Sequence, residues 1–577
     1  MSVDAITLEI IANRFNEIQR IMKHRLFRTG YSTILRESFD GGAGLTDSDG
    51  NVIGASGMSI HTRPYACFVA GILKAYGKQG IDEGDVFISN DPYKGGVAHS
   101  PDMAVATPVF VGGDLIAFCT SIAHKADIGG LAPGSASPDS RSIFHEGLLV
   151  PPCKFYQAGK MVDSVRMILE NNSRTPRLLI GDLMGQVGCT RVGAQLITEL
   201  CEQEGIGTIL SAIEQLMDSS EQRLREALKR IPDGEATAEN FLDGDGIVER
   251  PVRVALRAVK KGDSITLDFT GSDKQTAGPA SAVVQALEAA AIAALLSVAD
   301  YTITNNEGVR RVIDFVFPEG TVVNPTHPTP VNSYIPISHL VYNSVMEVMG
   351  KLVPDRAAAD SGLGLGGLAI GYNATRAGGS YVHYEIMVTG TGGTSRVDGC
   401  SAIMPMLNFE SVQPIEIVES EFPVRITEFS MLKDSCGAGY HRGGVGIKRE
   451  YELLSDAQVV SRLSQRRHGS KGLAGGKAPP VSRTVLLEDG EQRELPGLIR
   501  FAAKAGTRIC LEQSGGGGWG DPLERDPAAV LTDVGDGFVS VESARKDYGV
   551  IVEQDKAGRY VIARLDRPQG GVQIASE

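Results

Sequence analysis

The apolar runs MAVATPVFV and DLIAFCTSI, separated by Gly112-Gly113, constrain this chain more than any other stretch. Runs of this kind around a Gly-Gly pair predict a β-hairpin. A hairpin brings its two open ends together. His99 and Asp102 stand just before the first strand, in GGVAHSPDMAV, and His124 stands just after the second, in SIAHKADIGG. Pairing about a two-residue loop sets Asp102 opposite Ala123. A three-residue loop sets it opposite His124, on the same face, with Cβ atoms about 5 Å apart. Either register leaves two imidazoles and a carboxylate near one point, but only the second, or a bulge, aims them together.

The surroundings read as a multidomain α+β protein, strand-rich with glycine turns, whose N-terminal part mixes helix and strand around a metal-binding region. Three-and-four spacing of Ile11, Phe15, Ile18, Met22 and Leu26 predicts a helix over 4–27, leading to Asp40 and a glycine cluster. LTDSDGNVIG predicts a hairpin around Asp49-Gly50, followed by a helix near 63–77 and the strand DVFIS. Helical periodicity over 161–230 stops at Pro232 and Gly234, which marks a domain boundary. The expected division is 1–232, a metal-binding domain; 233–514, an α+β middle region with an Ala-rich helix over 281–300; and 515–577, a helical tail with caps near Asp526 and Ser540.

Glycine makes up 69 of 577 residues, about 12% against a usual ~7%, and without a G-X-Y period this means many tight turns. The eight cysteines are scattered with no C-x-x-C pair, which suits a reducing compartment and disfavours a thiolate zinc site. A net charge of −14 without a basic stripe argues against nucleic acid as the partner. The N-terminal MSVDAITLEI lacks the pattern of a secretion signal, and the longest apolar run, AVVQALEAAAIAALLSVADY, carries Gln285 and Glu288 and suits a buried helix. A cytoplasmic enzyme subunit, with no membrane span, is the expectation.

Three motifs compete for the chemistry. GLGLGG at 362–367 matches a dinucleotide fingerprint but lacks the flanking strand and helix, so it reads as a turn. GTGGTSRVDG at 390–399 could cradle a phosphate on backbone amides, although no P-loop Lys follows. The His99, Asp102 and His124 set offers the mixed imidazole and carboxylate ligands that Zn²⁺, Mn²⁺ or Fe²⁺ accept. Taken singly, a histidine is more often a satisfied core group, and Asp102 after Pro101 could cap a turn; convergence of two segments favours the metal. Asp40 would complete a His₂Asp₂ set.

Several stretches in order, NDPYKGGVAHSPDMAVATPVF, AHKADIGG, HEGLLVPP, DFTGSDKQTAGP, NEGVRR, HRGGVGI and GGGGWGDPLERDPAAVL, resemble the hydantoinase B/oxoprolinase family, from the first helix to about residue 551. That family includes second subunits of ATP-dependent N-methylhydantoin and lactam hydrolases and is related to α subunits of acetone and acetophenone carboxylases. The resemblance implies metal ligands at His99, Asp102 and His124, with Asp40, in STILRESFD, at the position of a fourth ligand. This chain departs from many relatives in DGG where they have DFS after Phe39, and in Lys125 where they carry a second His. His145 is read as an outer-sphere or surface group, and Asp127 and Glu146 as candidate general bases or acceptors for imidazole N–H groups.

The implied chemistry is hydrolysis of a resonance-stabilised cyclic amide after phosphorylation of its carbonyl oxygen. No ATP fingerprint is convincing here, so the resemblance assigns that step to an actin-like ATPase partner in an α2β2 heterotetramer. Ring opening would use a divalent ion, zinc first with manganese or iron as alternatives, that lowers the pKa of water to about 7. Two other readings stand beside it: an ATP-dependent ketone carboxylase α subunit, and a non-catalytic scaffold whose ion stiffens a loop. The altered segment FDGGAG leans toward an apolar ring such as caprolactam over N-methylhydantoin or 5-oxoproline.

Overall fold

The residues around the hairpin mouth come from widely separated parts of the chain. The computed structural model describes residues 3–363, 366–372, 380–403 and 411–567. The first helix, Ala5–Arg28, begins where Asp4 accepts hydrogen bonds from Ile6 N (3.1 Å) and Thr7 N (3.2 Å), and it buries the expected stripe Ile11, Phe15, Ile18, Met22 and Leu26. That stripe lies on a seven-stranded antiparallel sheet formed by β1 (Gly41–Asp47), β2 (Val52–Gly57), β3 (Val86–Ser89), β4 (Asp102–Val111), β5 (Asp114–His124), β6 (Cys153–Gln157) and β7 (Lys160–Met161). The spatial order is β2-β1-β5-β4-β3-β6-β7.

Alternation along the strands feeds separate cores on the two faces of the sheet. Ala43, Leu45, Cys119 and Ala123 face the first helix and the long helices Pro176–Glu204 and Ile206–Lys229. Ala104, Ala106, Phe118 and Ile122 face the helix Thr62–Tyr76 through Phe68, Val69 and Ile72. Gly42 and Gly44 of β1 make room for Tyr65 on that helix: a Cβ at Gly42 would come within 2.8 Å of the Tyr65 hydroxyl.

Beyond the expected boundary at 232, the chain forms a four-stranded sheet starting with Gly234–Leu242, covered by the helices Val284–Ala299 and Tyr334–Leu352. Its core is continuous with the N-terminal part: Ile34, Met58, Ala98 and Ile143 pack in the same cluster as Leu256, Leu287 and Val341, and so do Tyr384 and Val460 from further on. Position 232 thus separates elements without separating cores.

The last part holds two more antiparallel sheets and a bundle of extended glycine segments. Gly516 N donates to Gly444 O (2.9 Å), Gly444 N to Thr391 O (2.8 Å), and Gly393 N to Gly517 O (2.9 Å), so backbones touch directly with no side chain between. Residues 515–518, read from sequence as the start of the tail, run through the middle of this bundle. The expected caps follow: Asp526 and Ser540 start the helices Pro527–Gly535 and Val541–Tyr548. The tail is not purely helical, because a hairpin of Val550–Gln554 and Tyr560–Leu565 comes after them. No helix among the described residues is long and apolar enough to cross a membrane.

Candidate metal centre

Gly112 (φ 63°) and Gly113 (φ 94°) both adopt the left-handed backbone that a two-residue hairpin turn requires, and Val111 pairs with Asp114 across them. That loop alone would set Asp102 against Ala123. A bulge intervenes: Phe110 pairs with Leu115 but Val109 with Ala117, leaving Ile116 as the extra residue, and the shifted ladder sets Asp102 opposite His124. On the other side of β5, Gly41 pairs with Ala123, and Asp40 O accepts from His124 N at 3.2 Å. Asp40, His124 and Asp102 therefore form a row across three adjacent strands.

His99 enters this row from the turn before β4, where Asp102 N donates to His99 O at 3.2 Å. Its Nε2 lies 3.1 Å from Asp102 Oδ1. His99, Asp102 and His124, all buried, each place one ligand atom within 4.8 Å of the others. The Asp40 carboxylate is buried beside them but outside that set; its charge is felt by Lys125 and Tyr384.

Both ring nitrogens of His124 and Oδ2 of Asp102 are buried without a hydrogen-bond partner. A buried carboxylate oxygen and an imidazole lone pair left without a donor are costly unless a cation satisfies them, so the residues fit a divalent ion. Their protonation also fits. Burial, then the neighbouring His99, pushes the His124 imidazole well below its ordinary pKa and keeps it neutral. Burial alone would raise the Asp102 carboxyl, but His99 and His61 beside it hold it well below the usual carboxylate range. His99 Nδ1 lies 3.1 Å from the Asn332 carbonyl oxygen, which can only accept, so Nδ1–H donates there and Nε2 is the nitrogen that faces the cluster.

The outer partners were invisible in the sequence. His61, at the start of the Thr62–Tyr76 helix, sits with Nε2 3.7 Å from Asp102 Oδ2. The rings of Tyr334 and Tyr384 pack on His99 (4.8 Å) and His124 (4.6 Å). Arg462 reaches in from the strand Ala457–Arg462, donating to Asn332 Oδ1 at 3.3 Å and to the Tyr384 hydroxyl. No spacing rule links residues 61, 332, 384 and 462 to a hairpin around 112; only the shared core does.

Asp127 and Glu146 have different surroundings. Asp127 Oδ1 accepts from Gly129 N (3.0 Å) and Arg174 N (2.9 Å), and Oδ2 from Gly134 N (3.1 Å) and Arg174 Nη1 (2.9 Å), which pins the loop 127–134. Glu146 Oε1 accepts from Asn332 N at 2.8 Å while Oε2 is buried without a partner, and burial pushes its carboxyl up to about 8. His145 is partly exposed, accepts from Arg141 N (3.2 Å) and stays outside the cluster. Lys125 points to the opposite face of β5, where it donates to Gln186 Oε1 at 2.5 Å, and burial lowers its pKa to about 8.

The loop 127–134 also separates the cluster from solvent. A Cβ at Gly134 would come within 2.8 Å of the Tyr384 ring, while Pro133 lines the far side, a groove of about 820 Å³ shared by Arg174, Tyr381, Asp456 and Lys504. The phosphate-cradle reading of 390–399 does not hold: Gly392 N donates to Ser361 Oγ, Gly393 N to Gly517 O and Gly399 N to Arg442 O, so these amides are spent inside the glycine bundle. In the stretch 362–367, residues 364–365 lie outside the described residues, and Gly366 opens the strand Gly366–Tyr372 in place of a nucleotide-binding turn.

The family model Hydantoinase B/oxoprolinase matches residues 4–522. The chain is 32% identical to the B component of a putative D-/L-hydantoinase of Pseudomonas sp. (strain NS671), covering 95% of each. It superposes on the crystal structure of the ATP-dependent caprolactamase from Pseudomonas jessenii with a TM-score of 0.88 at 29% identity, covering 96% of this chain and 97% of that one. An acetone carboxylase structure shares the fold, with a TM-score of 0.89 at 18% identity over 96% of this chain and 81% of that one. By the extent of these matches, the chain belongs to the hydantoinase B/oxoprolinase family.

Proposed function

We propose that this chain is the ring-opening subunit of an ATP-dependent cyclic-amide hydrolase, acting with a separate actin-like ATPase subunit, as α2β2, that phosphorylates the carbonyl oxygen. The observation that carries the reading is the buried His99–Asp102–His124 cluster with its orphaned nitrogens and carboxylate oxygen, in a chain resembling a caprolactamase and a hydantoinase component along its whole length. Asp40 is the proposed fourth ligand. Two imidazoles with one or two carboxylates suit zinc first, then manganese or iron. When bound, such an ion supplies Lewis acidity and a water of lowered pKa.

The chain's own residues handle the protons. The O-phosphorylated amide takes up one water at its former carbonyl carbon. Breaking the ring C–N bond then requires a proton on nitrogen; otherwise phosphate leaves first and the amide re-forms. We assign that proton to Glu146, whose carboxyl burial keeps protonated up to about pH 8 and one of whose oxygens accepts from Asn332 N–H. The acyl phosphate left behind takes a second water and releases phosphate. Asp127, with four donors on its two oxygens, serves the loop and leaves the proton to Glu146.

Glu146→Gln keeps the Asn332 contact and removes the proton. The expected result is a loss of about 10²–10⁴ in kcat with metal content unchanged. Because the acid works only while protonated, wild-type activity should fall as pH rises through about 8, and this alkaline limb should vanish in the variant. An unchanged pH profile in E146Q removes Glu146 from the proposal.

The carboxylase reading is the one alternative with an observation behind it, the shared fold with an acetone carboxylase. Purified complex, ATP and a panel of caprolactam, N-methylhydantoin and 5-oxoproline, run with labelled bicarbonate, separates the two. Amino acid products without label are expected; label fixed into product would replace hydrolysis by carboxylation.

A further inference from the structure

Four arginines among the described residues are buried: Arg442, Arg449, Arg462 and Arg525. Three have a carboxylate at hand, Asp533 at 2.8 Å from Arg442, Glu385 at 3.4 Å from Arg449, and Asp398 at 2.7 Å from Arg525. Arg462, 2% exposed, has none within 4.0 Å among the described residues. Its donors go to neutral oxygens, Asn332 Oδ1 and the Tyr384 hydroxyl. A guanidinium stays charged at all working pH values, and burying it without a counter-ion costs several kcal/mol.

The location of this unbalanced charge is informative. Asn332 touches Arg462 with its side chain and His99 with its carbonyl; Tyr384 touches Arg462 with its hydroxyl and His124 with its ring. Arg462 is thus one side chain away from two of the three clustered ligands. The Glu146 carboxyl senses Arg462, but burial keeps that group protonated up to about pH 8, so it supplies no negative charge below that pH.

We propose that Arg462 is the anion-holding residue of this site, binding an oxyanion of the phosphoryl class carried by the activated substrate. The inference rests on the ring-opening reading above and names the group that reading leaves unheld. The planar fork of Arg suits two phosphoryl oxygens at once. Held there, the phosphoryl group stays fixed while the C–N bond opens.

The test is calorimetric titration of the metal-loaded full chain with inorganic phosphate and, separately, acetate, for wild type, Arg462→Gln and Arg462→Lys, with metal content and unfolding midpoint measured alongside. Wild type should bind phosphate more tightly than acetate. R462Q should bind phosphate at least about tenfold more weakly and R462K about threefold more weakly, with metal content unchanged. In the complex, R462Q should consume more ATP per ring opened, an uncoupling that a structural role would not produce. If R462Q does not fold, the R462K to wild-type ratio decides alone. Equal phosphate binding in wild type and variants, no phosphate binding by wild type, or tighter binding of acetate overturns the proposal. Arg462-dependent phosphate binding in a protein that opens no cyclic amide would instead leave the anion site standing and remove the hydrolase reading.

Discussion

His124→Ala is expected to strip the chain of its ion and lower ring opening about a thousandfold, on the order of 4 kcal/mol of transition-state stabilisation. His124 closes the cluster: it is opposite Asp102 on β4, and its backbone N–H is held by the carbonyl oxygen of Asp40, the residue before β1. Burial fixes its ring as the neutral form that can ligate. Removing it takes one of the two imidazoles from the proposed set and leaves His99 with the carboxylates of Asp102 and Asp40. The loss should be specific to the loaded protein. In the metal-free chain both nitrogens of His124 are already without partners, so alanine removes two orphaned polar atoms while opening a small cavity. Unfolding of metal-free H124A should therefore differ from metal-free wild type by only about 1–2 kcal/mol. Retained metal and turnover in H124A would remove this residue from the site. Collapse of the metal-free protein would mean that its role is structural.

The second large effect lies far from the cluster. Gly516→Ala should prevent folding, or destabilise by more than about 4 kcal/mol. An added Cβ would run into the Thr391 carbonyl, and the strain has no soft outlet because the neighbours are backbone. Any shift also disturbs the bonds Gly516 N→Gly444 O (2.9 Å) and Gly437 N→Gly516 O (2.8 Å) that tie three segments together. Gly188→Ala is the matched control: it lies in the helix Pro176–Glu204 with nothing within 4 Å of its added Cβ, and should gain about 0.5–1 kcal/mol. Expression level and chemical denaturation read both. Soluble G516A with wild-type stability would contradict the close packing described here.

The contrast between these glycines shows what sequence patterns convey. Gly112-Gly113 was legible because a turn between two apolar runs is a local feature. The bulge at Ile116 was not, since the extra residue carries no signature of its own; it is the demand for Asp102 and His124 on one face that the register satisfies. The run at 515–518 read as the start of the tail because its partners, among them Asp360, Thr391, Gly444 and Lys477, are far away in sequence. His99, Asp102 and His124 could be assembled from one hairpin. Asp40 needed the β1–β5 register, and His61, Asn332, Tyr384 and Arg462 needed the tertiary fold, because they come from a helix start, a loop and two strands that meet only in the shared core.

The central claim is that one cation sits between His99, Asp102 and His124. Elemental analysis of the purified chain, with anomalous diffraction at the absorption edge of the metal found, tests it most directly. The account predicts one divalent ion per chain, zinc first, with its anomalous peak among His99 Nε2, His124 and an Asp102 oxygen. A metal-free, fully active preparation, or a peak at any other place in the fold, would contradict it.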